Sequence, residues 1–338
     1  MLTRLAAAAA ALLLAACGGS PAPSPVNTGM TGPPAVVDEV SGILAENKDL
    51  YVVDDSVSSA YFHLTLPPDH GRVIPLNNLH SMSISLPSGI WVDLEAIGRL
   101  ADGRLVVLSE RLRGLIGEQG PILEYDYPLS EFGRRGLEGL AIRPLPDGSS
   151  RIAVLWEGGY PSASSIQPQI QASAGTASMK PLLFVHDLGP GETTDRVRWS
   201  DGLIRTELQV PIPEGAEPAA QRFRAPALVW HRPASAAEWS FIVLITSENA
   251  TSKVEYRYHW LQRFNLRGQP IGEPLDIATL APADIASANW EGLAWFEPGK
   301  SLIMVHEGFR DLPPHAFIFD IPEDWKQPGV SRPEKSPS

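Results

Sequence analysis

Read as hydrophobic and polar positions, the chain is a succession of short apolar runs. Each is about four to eight residues long and rich in Val, Ile, Leu and aromatics, as buried strands require. The 29 Gly and 32 Pro are scattered between the runs rather than clustered, so turns punctuate the whole length. No window carries the period of a convincing amphipathic helix. The pattern predicts an all-β protein.

The runs recur in a fixed order. Glu95 opens "EAIGRL", followed by the turn "ADGR", then "LVVLSER" and "PILEYDY". Glu138 opens "EGLAIRP", followed by "LPDGSS", "RIAVLWEGG" and later "KPLLFVHDL". Glu291 opens "EGLAWF", followed by "EPGKS", "LIMVHEGF" and "HAFIFDI". Two looser copies start at Ser41 ("SGILAE", "LYVVDDS", "AYFHLTL") and near Pro226 ("PALVWHRP", "FIVLITSEN", "YHWLQRFNL"). A fourth run follows in several units: "RVIPL" at 72–76, "TELQVPI" at 206–212 and "PLDIATL" at 274–280.

Strand, tight turn, strand, loop, strand, strand, repeated along the chain, predicts the four-stranded antiparallel blades of a β-propeller. Five units are visible and a sixth could be hidden, although a 161–178 insertion loop accounts for the longest gap. The segment "PPAVVDE" is expected to supply the last blade's outer strand and close the ring. A β-sandwich competes for the same strands but leaves the repeated Glu unexplained.

In a blade, the inner strand begins and the second strand ends at the same mouth of the central channel. That rule gathers Glu95, Glu138 and Glu291 with Asp54, Asp55, Glu110, Glu157, Glu248 and Glu307. Two remedies exist for so much negative charge. A hard cation such as calcium takes clustered carboxylate oxygens, which makes Glu95, Glu138, Glu291, Glu110, Glu157 and Glu307 candidate ligands. Alternatively arginines pair with the acids: Arg111, Arg113, Arg134, Arg135, Arg222, Arg224 and Arg310 all map near that end. Of these, Arg111, Arg113, Arg224 and Arg310 are candidates for binding an anionic substrate. The Gly that follows the repeated Glu suits close backbone approach near the axis. Glu138, Glu291 and His306 are the catalytic candidates, His306 as an acid or base beside Glu307.

Composition trims the alternatives. The opening "MLTRLAAAAAALLLAACGGS" has one basic residue, Arg4, before a short Ala/Leu run that ends at Cys17, the only cysteine. "LAAC" resembles the lipobox of bacterial lipoproteins, which implies cleavage after Ala16 and lipidation of Cys17. Residues 17–34, small, polar and Pro-rich, are expected to be a flexible tether, 35–325 the propeller and 326–338 a frayed tail. The anchor implies an envelope location, on the outer membrane facing the periplasm if the source has two membranes. Loss of Arg4 with the leader takes the formal charge from −12 to −13, which argues against nucleic-acid partners. There is no G-x-S-x-G elbow, and "HEGFR" fails H-E-x-x-H at its fifth position.

On "GLEGLAIRPLPDG", "DLEAIGRLADGRLVVLSER" and "NWEGLAWF…LIMVHEG", the chain resembles the phytase-like propeller family labelled "esterase-like activity of phytase". The resemblance spans about residues 36–325. It implies a calcium-stabilised propeller with a phosphoester or ester substrate at the channel mouth, and it falls on Glu95, Glu138 and Glu291, then Glu110, Glu157 and Glu307. Ser41 and Pro226 depart from the family's pattern, because two blades lack the inner acid. Two other readings stand beside it. One is a non-catalytic scaffold or ligand-binding protein with an envelope partner, and the other a sugar-lactonase-like metal hydrolase.

Overall fold

The structure, a computed structural model, describes residues 35–86, 92–126, 136–158, 180–193, 197–198, 204–211, 221–234, 236–249, 256–308 and 312–327. Cys17, the tether, the 161–178 insertion, Arg134, Arg135 and Arg310 lie outside the described residues, as do the side chains of Arg222 and Glu248.

The described strands form five sheets, each a blade. The first blade contains β1 (Val40–Glu46), β2 (Asp49–Asp54) and β3 (Ala60–Thr65). After β3 the chain makes β4 (Val73–Pro75), which leaves the blade, and then β5 (His80–Ser83), which returns to pair with β3. The second blade runs β6 (Leu94–Arg99), β7 (Leu105–Ser109), β8 (Gly114–Gly117) and β9 (Gly120–Asp126). The third runs β10 (Leu137–Pro144), β11 (Ser150–Trp156), β12 (Leu182–Leu188) and β14 (Ile204–Glu207). Between these last two, β13 (Val197–Arg198) pairs parallel to β9 at the rim of the second blade. The fourth blade runs β15 (Gln221–His231), β16 (Ser240–Asn249), β17 (Tyr256–Asn265) and β18 (Pro270–Asp276). The fifth has β19 (Trp290–Glu297), β20 (Ser301–His306), β21 (His315–Asp320) and, on its outer edge, β4.

The expected all-β propeller is therefore present, with five blades among the described residues. Its closure differs from expectation. "RVIPL" does not complete the first blade; it is the outer strand of the fifth, and "HSMS" takes the first blade's edge. "PPAVVDE" contributes only an isolated bridge between Ala35 and Leu79. The exchange joins the two ends of the ring by backbone hydrogen bonds, with β4 covering the outer edge of β21 and β5 that of β3.

The inner strands adjoin in the order β1, β6, β10, β15, β19 and back to β1. Tight turns join inner to second strands, and residues with positive φ, such as Asn47 (58°) and Gly148 (82°), match their twist. Between blades the sheets bury their apolar faces. Trp156 and Trp290, each next to an acid of the mouth, are fully buried in these interfaces and are core residues. Each such indole contributes on the order of 4–6 kcal/mol of burial before entropy is counted.

Candidate functional site

The repeated Glu-Gly has a backbone origin. In β1 the pairing passes from Val40↔Asp54 to Gly42↔Val53, which leaves Ser41 bulged. The same skip leaves Glu95 between Leu94↔Ser109 and Ala96↔Leu108, and Glu138 between Leu137↔Trp156 and Gly139↔Leu155. Glu291 is left between Trp290↔His306 and Gly292↔Val305. In β15 the skip spans Ala225 and Pro226, and a proline has no ladder N–H to lose at a bulge. Bulges re-aim side chains, and here they do so at one level of every inner strand.

The following Gly yields space to the next blade. A Cβ on Gly42 would lie 2.6 Å from the Cα of Ala96, and one on Gly292 would lie 3.1 Å from the Cα of Gly42.

A second ring of acids follows the second strands. Asp55, Glu110, Glu157 and Glu307 donate backbone N–H bonds to the carbonyls of Glu39 (3.0 Å), Asp93 (3.0 Å), Gly136 (3.4 Å) and Asn289 (3.1 Å). Those acceptors stand two residues before each bulge. Sequence reasoning missed Glu39, Asp93 and Asn289, although Asp93-x-Glu95 and Asn289-x-Glu291 repeat within the very segments that showed the Glu. Gly136 is the exception that makes room: a Cβ there would fall 1.8 Å from Cγ of Glu110.

On the first-to-third-blade side of the mouth the carboxyl groups crowd. One oxygen from each of Asp93, Glu95 and Glu110 lies within 4.8 Å of the others. Burial, then the neighbouring Glu138, holds the Glu95 carboxyl well above the ordinary range. Burial and Glu157 raise Glu138 to about 8, against the opposing pull of Arg224. Burial also raises Asp93, and burial with a hydrogen bond to Glu39 takes Asp55 to about 8.

The fourth-to-fifth-blade side holds a counter-charge of its own. Arg224 donates to Glu157 Oε2 (3.4 Å), to Asn289 Oδ1 (3.2 Å) and to Glu291. Asn289 in turn donates to Glu291 and to Glu307 Oε1 (2.6 Å). Burial raises the Glu307 carboxyl, while Asn289 and Arg224 oppose the rise. Of the predicted metal ligands, the structure thus joins Glu95 and Glu110 with Asp93, sets Glu138 beside them, and ties Glu157, Glu291 and Glu307 to Arg224 and Asn289.

The remaining candidates fall around this frame. Arg111 is exposed and favours the charged form of Asp93. Arg113 is half-buried at φ 51°, and its N–H donates to the Glu110 carbonyl (3.1 Å). Ser41, where the inner acid is missing, donates to the Leu94 carbonyl of the next blade. Asp54, expected among the mouth acids, is 1 % exposed and accepts the N–H groups of Asp38 (2.9 Å), Glu39 (3.2 Å) and Ser56 (3.0 Å). His306, expected at the mouth, is sealed in the core. Its Nδ1 bonds the Glu307 carbonyl (2.8 Å), its ring meets Trp290 edge-on, and burial lowers its pKa to about 4.

No family model matches the chain, and no curated protein sequence is similar to it. Among solved structures it is similar to virginiamycin B lyase from Staphylococcus aureus, with 10% identity and TM-score 0.36 over 83% of this chain and 94% of that one. A thermostable family-43 glycoside hydrolase shares 10% identity at TM-score 0.43, over 91% and 99%. Regucalcin from Agrobacterium tumefaciens, described as a calcium-binding protein, shares 10% at TM-score 0.36, over 86% and 94%. Similarity so slight has no bearing on chemistry.

Proposed function

We propose that the protein is a lipid-anchored envelope propeller that binds a divalent cation, calcium by preference, at the carboxylate mouth and hydrolyses phosphate esters or other esters there. One observation carries the reading. Asp93, Glu95 and Glu110 bring carboxylate oxygens within 4.8 Å of one another, on the side of the mouth that Arg224 does not neutralise. Oxygen-only donors at that spacing suit a hard cation, and calcium tolerates their irregular arrangement. Asp93, Glu95 and Glu110 would hold the ion, with Glu138 beside it. Bound there, such an ion supplies a Lewis acid that polarises a phosphoryl or carbonyl oxygen and acidifies water. Glu138 is the adjacent group that can hold or release a proton. Arg224, kept in place by Glu291 and Asn289, offers a guanidinium toward the anionic part of a substrate.

A second reading, a binding protein without turnover, is favoured by the engagement of Arg224 with Glu157 and Glu291, which answers part of the mouth's charge internally. Calorimetric titration with calcium separates these ideas from a metal-free mouth. Saturable binding that is lost in Asp93→Asn and Glu95→Gln, with hydrolysis of a phosphate-ester panel, supports the hydrolase. Binding without hydrolysis supports the second reading, and no binding of calcium, magnesium or manganese overturns the cation site.

A further inference from the structure

The opposite end of the channel carries a different arrangement. β10 and β15 both run away from the mouth, so Arg143, near the end of β10, and Arg232, which follows β15, stand at the far face. The Arg143 guanidinium lies over the Trp230 ring at 4.9 Å and over the Trp239 ring at 4.4 Å. Arg232 lies over the same Trp239 ring at 4.9 Å. Two like charges therefore share one indole. Burial first, then Arg151 and Arg232, lowers the Arg143 pKa, while Asp187 opposes the change.

Neither guanidinium has a carboxylate partner among the described residues. The nearest acid across the sheet, Asp187, is taken by Arg151 through two bonds of 2.6 Å. Arg151, the register partner of Arg143, thus has its own counter-ion and leaves none for Arg143. Nε of Arg143 is buried with no acceptor. Glu238, exposed beside Trp239, forms no ion pair with either arginine. In a chain whose formal charge is −12, an unpaired pair of arginines is conspicuous.

We propose that Arg143 and Arg232, held about Trp239, form a binding site for a phosphoryl anion on the face opposite the carboxylate mouth. Stacking on the indoles fixes the planes of both guanidiniums and leaves their N–H edges as paired donors. A phosphoryl group offers up to three acceptor oxygens and a charge near −2, enough for two forks at once, where one carboxylate fills a single fork. The group's source is either a free phosphate or phosphomonoester, or the headgroup of an anionic lipid. The site is independent of the cation at the mouth.

The test is calorimetric titration of the protein with inorganic phosphate, without calcium and at constant ionic strength. We expect one saturable site, weakened about tenfold or more in Arg232→Ala, since a charge-assisted hydrogen bond contributes on that scale. Arg232 is exposed, so its removal leaves the core intact. Trp239→Leu keeps both charges and loses the stack, and it should also weaken binding. Absence of a saturable site overturns the proposal, as does unchanged affinity in Arg232→Ala. Loss in Arg224→Gln instead of Arg232→Ala would place phosphate at the mouth and overturn it too. A flotation arm with phosphatidic acid and phosphatidylcholine vesicles distinguishes the sources. Arg232-dependent flotation with phosphatidic acid, competed by free phosphate, assigns the lipid, while phosphate binding without flotation assigns the soluble group.

Discussion

Arg224 on β15 reaches across the channel mouth to Glu291 on β19, and it stands near the level at which three other inner strands carry a bulged glutamate. One blade thus answers the charge that its neighbours concentrate. The pair sits in a largely water-free setting, with 13% and 9% of the two side chains exposed. Removing one member leaves the other a buried charge without its counter-ion, which costs more than the intact pair contributes.

Arg224→Ala is therefore expected to destabilise the protein by about 3–5 kcal/mol at neutral pH, measured by urea unfolding. An effect below about 1 kcal/mol would show that Glu157 and Glu291 are solvated rather than dependent on Arg224.

The raised carboxyl groups set a pH dependence in chelator. Asp55 and Glu138 titrate near 8 when folded, against ordinary values of 3.8 and 4.5. An acid whose folded pKa is raised gives stability that is whole below the unfolded pKa and lost as pH rises through the folded one. Buried histidines work the other way: His306, lowered to about 4 from 6.5, costs stability only as pH falls below 6.5. Above pH 6.5 the opposing contribution of His186, His231, His259 and His306 fades, so toward pH 8 the carboxyl groups dominate and the melting temperature should fall. Glu138→Gln should flatten the fall, and calcium should abolish it. A melting temperature that rises from pH 6.5 to 8 in chelator would contradict the crowded mouth.

Gly42→Ala tests the contact between inner strands. Its Cβ would meet the Ala96 Cα and the Glu95 carbonyl, each at 2.6 Å, and backbone cannot swing aside as a side chain can. A loss of about 1–3 kcal/mol is expected from the denaturation midpoint. A neutral result would mean that the first two blades separate freely at this point.

Ring closure rests on β4. Ile74 is buried at 5 % exposure, and its strand pairs with Phe317, Ala316 and His315 of β21. Ile74→Ala should cost about 2–5 kcal/mol and increase proteolysis between residues 66 and 80. Unchanged proteolysis and stability would argue that the fifth blade holds its edge without the borrowed strand.

The all-β class, the five units and the acids of the mouth were legible in the sequence because each follows from local pattern. Short apolar runs make strands, and Glu-Gly marks a bulge followed by a close approach, wherever the unit recurs. Asp93 and Asn289 were legible too, since the same two-residue offset repeats before Glu95 and Glu291, though the pattern of acids drew attention past them. Other features depend on partners far apart in the chain. Which blade receives "RVIPL" is decided by competition between two sheet edges, β3 and β21, that only the closed ring brings near each other. Whether an acid meets a cation is decided by the neighbouring blade, so Glu291 finds Arg224 while Glu95 meets Glu138. His306 and Asp54 share the local pattern of mouth residues, yet packing against Trp290 buries the one and backbone N–H groups claim the other. The repeating unit and the level at which its acids stand arise within a few residues and are therefore set locally. The division of charge around the mouth is set between blades, where burial and pairing take place.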